Sequence, residues 1–520
     1  MIPGVGREKK TDGHELGRSE KEPAVREMSN QTTQIATLAA YYAVLALLAM
    51  YGTHRAMMVR LYYRHRRDVP RPVGELPKLP RVTVQLPIYN EVYVVERLIA
   101  AVAALDYPRE LLEIQVLDDS TDETRDVARR AVEAYRRQGY DIAHRTRSDR
   151  HGYKAGALQA GLEGSTGEYL LIFDADFVPR PDLLRELLPH FSDPAVGMVQ
   201  ARWEHLNRDY SLLTRIQSIF LDGHFVIEHT ARHRSGRFFN FNGTAGIWRR
   251  RCLEEIGGWQ SDTLTEDLDV SYRAQLAGWR FVYLKDVAAP AELPADMNGF
   301  KSQQHRWTKG SIQTGRKLLP AIFRSGYSWK VKVEAFFHLT ANISYPLMIV
   351  LSFLLLPAMI VRFNQGWFQM LYIDLPLWLA STASVSTFYL ISQKELYPDW
   401  RLRLKYLPFL MSLGIGLSVS NSKAVMEALL GIKTSFKRTP KFKIESKKDR
   451  WATKKYLRRT GVLPILELCL GAYFGLVVFY AFMNQNYPTI PFLMLFVVGF
   501  TYMGLMSILH VTIHRWLRGL

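Results

Sequence analysis

Asp174 and Asp176 have the spacing of a carboxylate pair that can bind a metal ion and a phosphate. They follow the short apolar run 169–173, which is typical of a buried strand. Hard divalent cations such as Mg²⁺ and Mn²⁺ prefer oxygen ligands and often share them with substrate phosphates. An isolated pair of this kind is commonly only a solvated acidic turn. The preceding strand favours the metal site, because it fixes both carboxylates at a sheet edge.

Asp118 and Asp119 form a second acidic pair, at the end of the apolar run 114–117. Recognition of a base or a ribose would give these carboxylates a use. Thr121 or Asp122 is also suited to cap the helix that follows. The pair therefore indicates nucleotide binding and a helix start together.

Lys154 lies in the glycine-containing run 151–158. Glycine allows close approach of the backbone, and a lysine near a helix start can meet an anionic diphosphate. The alternative interpretation is a solvated surface lysine.

Asp267 stands in the run 265–267, at the start of a predicted helix. A carboxylate there is favourable to the helix dipole without any further role. The functional interpretation is a general base, since transfer of a group to a hydroxyl requires removal of the hydroxyl proton.

Gln303, Arg306 and Trp307 place an amide, a guanidinium and a large aromatic ring close together on the chain. A guanidinium suits phosphate, and an indole suits the apolar face of a pyranose. An interfacial Trp/Arg pair beside a membrane is the alternative.

The elements between residues 81 and 203 alternate between strand and helix patterns. The runs 82–86, 114–117 and 169–173 predict parallel strands buried on both faces, with helical patterns at 91–104 and 122–137 between them. This order predicts a doubly wound α/β domain, in which ligands bind at the carboxyl ends of strands. The acidic clusters and the Tyr89–Glu91 turn would then face one crevice.

The composition indicates a membrane protein. The 520-residue chain is 48% hydrophobic with a net charge of +18, and much of the basic excess flanks apolar runs. No nucleic-acid-binding signature accompanies this charge, so we expect no nucleic-acid partner. Two cysteines are too few for a disulfide framework or a four-thiolate zinc site.

The amino-terminal region predicts one membrane anchor. Residues 1–32 are polar and are expected to be a disordered tail, and residues 33–58 are apolar enough for a retained transmembrane helix. The basic stretch 55–67 should stay cytosolic. A proline-rich linker, residues 70–80, leads into the domain.

Five apolar blocks follow the domain, at 335–361, 368–392, 406–430, 462–483 and 491–513. Residues 433–459 hold twelve Lys and Arg and should be cytosolic. That orientation requires block 406–430 to lie in the membrane interface, which its amphipathic second half suits. The prediction is five spans, with the amino terminus outside and the carboxyl terminus inside.

The motifs, in this order, resemble those of the processive family 2 glycosyltransferases, with particular similarity to plant cellulose-synthase-like glucomannan synthases. The similarity rests on eight motifs: residues 85–91, 118–120, 152–158, 173–176, 200–203, 241–246, 265–267 and 303–307. Residues 436–441 also resemble the gating-loop pattern F-x-V-T-x-K of that family, with Arg438 in place of valine. The single amino-terminal span and the lack of a cyclic-dinucleotide domain depart from the family.

The resemblance implies a role for each matched residue. Those implied to bind the donor are Tyr89, Glu91, Asp118, Asp119, Lys154, Asp174, Gln303, Arg306, Thr439 and Lys441. Asp174 and Asp176 are implied to hold Mg²⁺ or Mn²⁺. Asp267 is implied to be the catalytic base, with Glu266 beside it. The residues implied to meet the acceptor are Trp307, Gly243 and Thr244.

The resemblance further implies a GT-A-like, Rossmann-type nucleotide-sugar domain at 81–320, inserted into an α-helical transmembrane bundle. The bundle would occupy 335–520 and contain a gating loop at 431–460. We expect polymerisation of a β-linked polysaccharide from UDP-glucose or GDP-mannose, with translocation of the product. The alternatives are a non-processive enzyme that makes a glycolipid such as β-glucosyl-diacylglycerol, and a transporter with an inactive domain.

The expected partners are a nucleotide-sugar donor, a glycan or lipid acceptor and the bilayer, and the oligomeric state stays open. We expect a cytosolic enzyme domain and a bacterial inner or plasma membrane rather than the Golgi.

Overall fold

The structure is a computed structural model that describes residues 21–364, 366, 371–434, 436, 438–456 and 461–518. Most of the predicted tail, residues 1–20, lies outside the described residues. The first helix, α1 (Lys21–His65), begins within the segment 21–32 that we predicted to be disordered. Lys, Glu, Ala, Arg and Met are good helix formers, and they favour extension of the anchor helix into this polar segment.

A mixed seven-stranded sheet forms the centre of the soluble part. Its strands are β1 (Val82–Ile88), β2 (Leu112–Asp118), β3 (Asp141–Thr146), β4 (Tyr169–Ile172), β5 (Val196–His205), β6 (Gly246–Arg249) and β7 (Arg280–Ala291), in the order β3-β2-β1-β4-β6-β5-β7. The neighbours β1, β2, β3 and β4 are parallel, as predicted for β1, β2 and β4. β6 runs antiparallel to β4 and β5. The α/β prediction is confirmed, and the antiparallel strand is an addition to it.

Helices pack on both faces of this sheet and beside it. They are α2 (Val95–Ala103), α3 (Thr124–Arg137), α4 (Tyr153–Glu163), α5 (Leu183–Leu187), α6 (Leu212–Asp222), α7 (Thr230–Arg234), α8 (Arg250–Glu255), α9 (Glu266–Leu276) and α10 (Met297–Arg324). A π-helical segment, Gly223–His229, joins α6 to α7. Alternate residues of β4 enter two apolar clusters, with Leu171 in one and Leu170 in the other. The parallel pairing of β1 with β2 and with β4 places the carboxyl ends of these three strands at one edge of the sheet.

The remaining helices form the membrane part. They are α11 (Trp329–Thr340), α12 (Ser344–Asn364), α13 (Leu371–Leu396), α14 (Trp400–Arg403), α15 (Leu407–Leu429), α16 (Leu463–Met483) and α17 (Ile490–Arg518). Six helical stretches in the described part of the chain are long and apolar enough to cross a bilayer, and Trp400–Leu429 is one of them. Length and composition therefore give one more candidate span than the five we predicted.

Both ends of α15 nevertheless lie against the α/β domain. Arg215 of α6 donates to the Tyr406 hydroxyl, just before α15, with 2.8 Å between the atoms. At the other end, the Lys309 ammonium of α10 lies 2.9 Å from the Glu427 carboxylate. A helix that crossed the bilayer would have its ends on opposite sides. These contacts favour an interfacial α15, and the five-span topology stays a prediction.

Candidate functional site

One cavity at the carboxyl ends of β1, β2 and β4 collects most of the predicted site residues. Those that line it are Tyr89, Glu91, Asp119, Lys154, Asp174, Asp176, Gly243, Glu266, Asp267, Gln303, Arg306, Trp307, Thr439 and Lys441. They come from the sheet edge, from the starts of α4 and α9, from α10 and from the predicted gating loop. Folding thus brings together residues that the sequence spreads from 89 to 441.

Lys154, at the start of α4, pairs with the first aspartate of the metal motif. Its ammonium donates to Asp174 Oδ1 at 2.5 Å and to the Gly243 carbonyl at 3.0 Å. Burial opposes the charge of this ammonium, but the Asp174 and Glu266 carboxylates outweigh burial and raise the pKa of Lys154 above its ordinary value. Lys154 is therefore a fixed positive charge inside the cavity, not a solvated surface lysine.

Asp176 pairs instead with Lys441, which belongs to the predicted gating loop. The Lys441 ammonium donates to Asp176 Oδ2 at 2.6 Å and to the Glu292 carbonyl at 3.0 Å. The buried Glu292 carboxylate follows β7 and accepts hydrogen bonds from the Phe442 and Lys443 amides, each at 2.8 Å. Burial raises the pKa of Glu292 to about 7, against the opposing effect of Lys441. These bonds hold the loop closed over the cavity.

Glu91 is a buried carboxylate on the same side of the cavity. Burial raises its pKa to about 7; the Arg438 guanidinium opposes the rise, and the Asp176 and Asp174 charges add to it. The Arg438 nitrogen lies 3.7 Å from Glu91 Oε1. Arg438, which replaces the valine of the family pattern, thus brings a positive charge toward this acidic wall.

Asp267 lies in the first turn of α9, where its Oδ1 accepts a hydrogen bond from the Leu268 amide at 2.8 Å. Burial, followed by the neighbouring Glu266 charge, raises the pKa of Asp267 to about 7, although Lys154 lowers it. A general base works best when its pKa lies near the working pH. The environment of Asp267 therefore suits proton removal from a hydroxyl.

Gly243 permits the close approach of Asp267 and Lys154. Its φ of +80° is in the left-handed region. A Cβ at this position would lie 3.0 Å from Asp267 Oδ2 and 3.3 Å from Lys154 Nζ. Thr244 faces inward next to it, and its hydroxyl accepts from the Asp174 amide at 2.9 Å. Gly243 thus lines the cavity, whereas Thr244 stabilises the turn that contains Asp174.

The donor chemistry of the cavity fits a cation only together with a phosphate. In the part of the chain that the structure describes, no group of three or more His, Cys, Asp or Glu side chains could hold a metal by itself. Asp174 and Asp176 would supply two carboxylates, and diphosphate oxygens would have to complete the shell. The buried Thr439 hydroxyl and Arg306 Nε lack hydrogen-bond partners among the described residues. Both are suited to phosphate oxygens.

The two aspartates of the second acidic pair have different environments: Asp118 is buried, and Asp119 lines the cavity. Asp118 is fully buried, accepts from the Ser120 amide at 2.8 Å and lies 2.8 Å from His144 Nε2. Its side chain does not line the cavity. Asp119 does, but Arg147 holds it through two nitrogens, at 2.9 and 2.5 Å. Asp119 therefore presents a paired carboxylate to any ribose or base.

The sequence prediction gave no individual site role to Arg150, Phe436 or Glu292, which also line the cavity. The Arg150 guanidinium covers the Tyr89 ring at 3.2 Å from its centroid. The Phe436 ring lies under the Arg306 guanidinium at 4.7 Å, and Glu292 anchors the loop. Arg150 stands just before the run 151–158, and Phe436 is the first residue of the gating-loop pattern itself. Nothing in the sequence marked Glu292.

A series of cavities extends from Trp307 toward the membrane helices. The second cavity shares Asp267, Trp307 and Asn242 with the first. A third cavity among the helices shares Arg55, His224 and several aromatic residues with the second. The polar residues of the first span after the domain that line these two cavities are His338, Asn342, Ser344 and Tyr345. Together the second and third cavities form what we call the passage.

Comparison with known proteins finds a family match for part of the chain. Residues 80–310 match the family described as glycosyltransferase like family 2. Glucomannan 4-beta-mannosyltransferase 1 of Oryza sativa subsp. japonica is 44% identical over 253 residues, 47% of this chain and 48% of the relative. Glucomannan 4-beta-mannosyltransferase 7 of Arabidopsis thaliana is 39% identical over 291 residues, 54% of this chain and 52% of the relative. The chain thus spans about half the length of the curated relatives it matches.

Among solved structures, the mannosyltransferase PcManGT from Pyrobaculum calidifontis, in complex with GDP-Man and Mn²⁺, has a TM-score of 0.49 at 22% identity. The match covers 75% of this chain and 100% of that chain.

Proposed function

We propose that this chain, which carries a family 2 glycosyltransferase domain, is a membrane-embedded inverting synthase of a β-linked polysaccharide. One observation supports the proposal most: a carboxylate with a pKa of about 7, Asp267, lies in the cavity that also holds the metal motif and Trp307. A general base and a phosphate site suit the chemistry of inverting glycosyl transfer, and an aromatic ring suits the binding of a sugar acceptor.

The proposed reaction is a single displacement. The acceptor hydroxyl oxygen attacks the anomeric carbon of an α-linked nucleotide sugar while Asp267 takes the hydroxyl proton. The bond from the anomeric carbon to the diphosphate oxygen breaks, and its electron pair leaves with the nucleoside diphosphate. Attack opposite the leaving group inverts the configuration and gives a β linkage.

The leaving diphosphate would be held by positive charge from two directions. Lys154 and Arg306 lie in the domain, and Lys441 reaches the cavity from the gating loop. Asp174 and Asp176 would hold Mg²⁺ or Mn²⁺, which stabilises the charge that develops on the diphosphate. The Lys154 and Lys441 ammonium groups neutralise these carboxylates in the structure, and a cation bound there would shift both pairings.

GDP-mannose is the donor that we propose first, with UDP-glucose second. The curated relatives are named as glucomannan mannosyltransferases, and they match the half of the chain that contains the cavity. The proposed product is therefore a β-linked mannan or glucomannan, in which Trp307 stacks on the terminal sugar of the acceptor.

The proposed topology lets the passage carry the product through the bilayer. Its polar residues, such as His338 and Asn342, suit a hydrated glycan, and polar groups inside spans are more often functional than incidental. The proposal places the enzyme domain and the gating loop in the cytosol. The membrane helices would lie in a bacterial inner or plasma membrane.

Product analysis tests the proposed function. Purified protein in detergent is incubated with a panel of radiolabelled UDP- and GDP-sugars, with and without diacylglycerol, and the products are sized. We expect long glycan from GDP-mannose without any added lipid. Label found only in a one- or two-sugar lipid would establish the glycolipid synthase instead. Absence of turnover with every donor would favour the transporter.

Cysteine labelling on sealed cells tests the topology. In a background without Cys252 and Cys469, Lys447→Cys in the gating loop should resist an impermeant reagent. The matched variant Tyr487→Cys should react, because the five-span topology puts the connection between α16 and α17 outside. Reaction at position 447 would mean that α15 crosses the bilayer.

A further inference from the structure

One face of α10 is basic along most of its length. Residues four and seven positions apart share a helix face, so four side chains form one row, which we call the basic stripe: Lys301, His305, Lys309 and Arg316. A different face of the same helix supplies three residues to the first cavity: Gln303, Arg306 and Trp307. α10 thus faces the proposed donor site on one side and packs against the membrane helices through the basic stripe.

The middle of the basic stripe holds the helix that precedes the gating loop. The fully buried Lys309 ammonium lies 2.9 Å from the Glu427 carboxylate, in the last turn of α15. The same ammonium donates to the hydroxyl of Thr434, near the start of the gating loop, at 2.9 Å. Arg316 donates to two carbonyls of the last turn of α15, at 2.5 and 3.0 Å. Carbonyls at a helix end have no partner inside the helix, so these bonds fix the point at which the loop begins.

The amino-terminal end of the basic stripe holds the helix that follows the gating loop. The Lys301 ammonium donates to both carboxylate oxygens of Glu467, in the second turn of α16, at 2.6 and 2.8 Å. The Ser507 hydroxyl of α17 lies 3.3 Å from the same ammonium. The Glu467 and Lys301 side chains are 0% and 8% exposed. Ionisable groups buried among membrane helices are costly, and those that occur are mostly functional.

Stability alone does not account for these buried pairs. The cost of removing two charges from water offsets much of their attraction, so a buried ion pair adds little net stability. Separation of the partners, by contrast, leaves a buried charge unpaired and is strongly unfavourable. The contact at Thr434 stands five positions before Thr439 of the cavity, and five residues span at most about 18 Å. The pairs therefore restrict where the loop can lie.

We propose that Lys301 and Lys309 are positioning residues that hold the two ends of the gating loop and set its closed position over the donor. They act through Glu467, Glu427 and Thr434, and they contact no substrate themselves. The inference rests on the proposed function, because it assigns the parts that keep the loop over a bound nucleotide sugar.

The accessibility of a buried loop residue tests this role. In a background without Cys252 and Cys469, Ile444→Cys places a thiol at a loop position that is 0% exposed. The purified full chain in detergent is treated with a maleimide. The labelling rate measures how often the loop leaves its closed position, and the measurement requires no substrate and no turnover.

Two double variants each release one end of the loop. Lys309→Met/Glu427→Gln and Lys301→Met/Glu467→Gln neutralise both partners of a pair, so neither leaves its partner charge unpaired. We expect each to label about tenfold faster than the parent. GDP-mannose binding, measured by calorimetry, should weaken by a similar factor, because apparent affinity falls with the fraction of protein in the binding-competent state.

Thr434→Val keeps both ion pairs and so protects the test against misfolding. The variant has nearly the same shape as the parent and loses only the hydrogen bond to Lys309. It should keep the thermal unfolding temperature of the parent and label about fivefold faster. A purely structural role of Lys309 would leave this labelling rate unchanged.

Lys317→Met is the matched control. Lys317 also lies on α10 and forms ion pairs at 2.8 Å, but its partners are Asp262 and Asp269 of the α/β domain. This variant should label and bind GDP-mannose within twofold of the parent. Parental labelling rates in Thr434→Val and in both double variants would overturn the positioning role, as would an equal acceleration in Lys317→Met. Turnover of nucleotide sugars tests the synthase separately, so failure of the positioning role is distinguishable from failure of the proposed function.

Discussion

The two aspartates of the metal motif have different kinds of partner, although they stand two positions apart. Asp174 pairs with Lys154, 20 positions away within the same domain. Asp176 pairs with Lys441, 265 positions away and beyond three of the candidate spans. The domain therefore builds the half of the cavity around Asp174 and Asp267 by itself. The half around Asp176 also needs the gating loop, which follows α15 in the chain and packs against the domain through Lys441.

This difference suggests a division of labour. The groups that we propose to perform the chemistry lie on strand ends and helix starts, where packing fixes them. The groups that we propose to retain the donor lie partly on a loop. Substitutions in the domain half should therefore lower kcat, and substitutions in the loop half should mainly raise KM for the donor.

Asp267→Asn should have the largest effect. Removal of a general base costs about 10²–10⁴-fold in rate, and we expect about a thousandfold fall in kcat. Nucleotide affinity, measured by calorimetry, should stay near that of the wild type, because Asp267 acts on the acceptor proton. If the variant kept most of its turnover, Asp267 would not be the general base, and another residue would have that role.

Asp176→Asn should have the second-largest effect, because Asp176 belongs to the metal motif of the domain and also pairs with Lys441 of the gating loop. It removes a carboxylate from the proposed cation and the partner of Lys441. We expect donor KM to rise about 10–100-fold, the scale seen when a metal environment is disturbed, and the Mg²⁺ or Mn²⁺ needed for half-activation to rise with it. Full turnover of the wild type in excess chelator would contradict the metal role.

Lys441→Met isolates the loop half. The loss of one charge-assisted contact to the donor should raise donor KM about tenfold, with kcat changed far less. The metal requirement should stay as in the wild type, since both aspartates remain. A fall in kcat comparable to that of Asp267→Asn would remove the distinction between the halves.

The pH profile should show the smallest effect. Asp267 acts as the free carboxylate, and its pKa is raised to about 7, so its active fraction falls as pH drops through 7. Between pH 7 and pH 6 we expect kcat to fall about fivefold at saturating donor, as a single ionisation predicts. Glu91 and Glu292 also have pKa values of about 7, and we expect their titration to affect donor binding, so saturation with donor separates their effect from that of Asp267. If kcat began to fall only below pH 5.5, burial would not have raised the pKa of the general base, and the assignment of that pKa to Asp267 would be wrong.

The motifs of the domain could be predicted because they depend on local structure. Apolar runs fix short strands, and the residue that follows such a strand lies at the carboxyl edge of the sheet. Asp174, Asp176 and Asp119 were placed at the cavity on this basis alone. Asp118 was not separable from Asp119, since only the twist and packing of the sheet decide which of two neighbouring side chains points inward.

The sequence by itself determined the α/β domain, the apolar helices and many of the residues that meet in the cavity. Only the tertiary structure decided the partner of each residue. Asp119 pairs with Arg147, and Glu292 accepts hydrogen bonds from the backbone of the gating loop. Trp203 lines the passage beyond Trp307. Periodicity and turn chemistry act over a few residues and leave a direct mark on the sequence. A contact between residues hundreds of positions apart depends on how whole elements pack, and a single sequence carries no local signal of it.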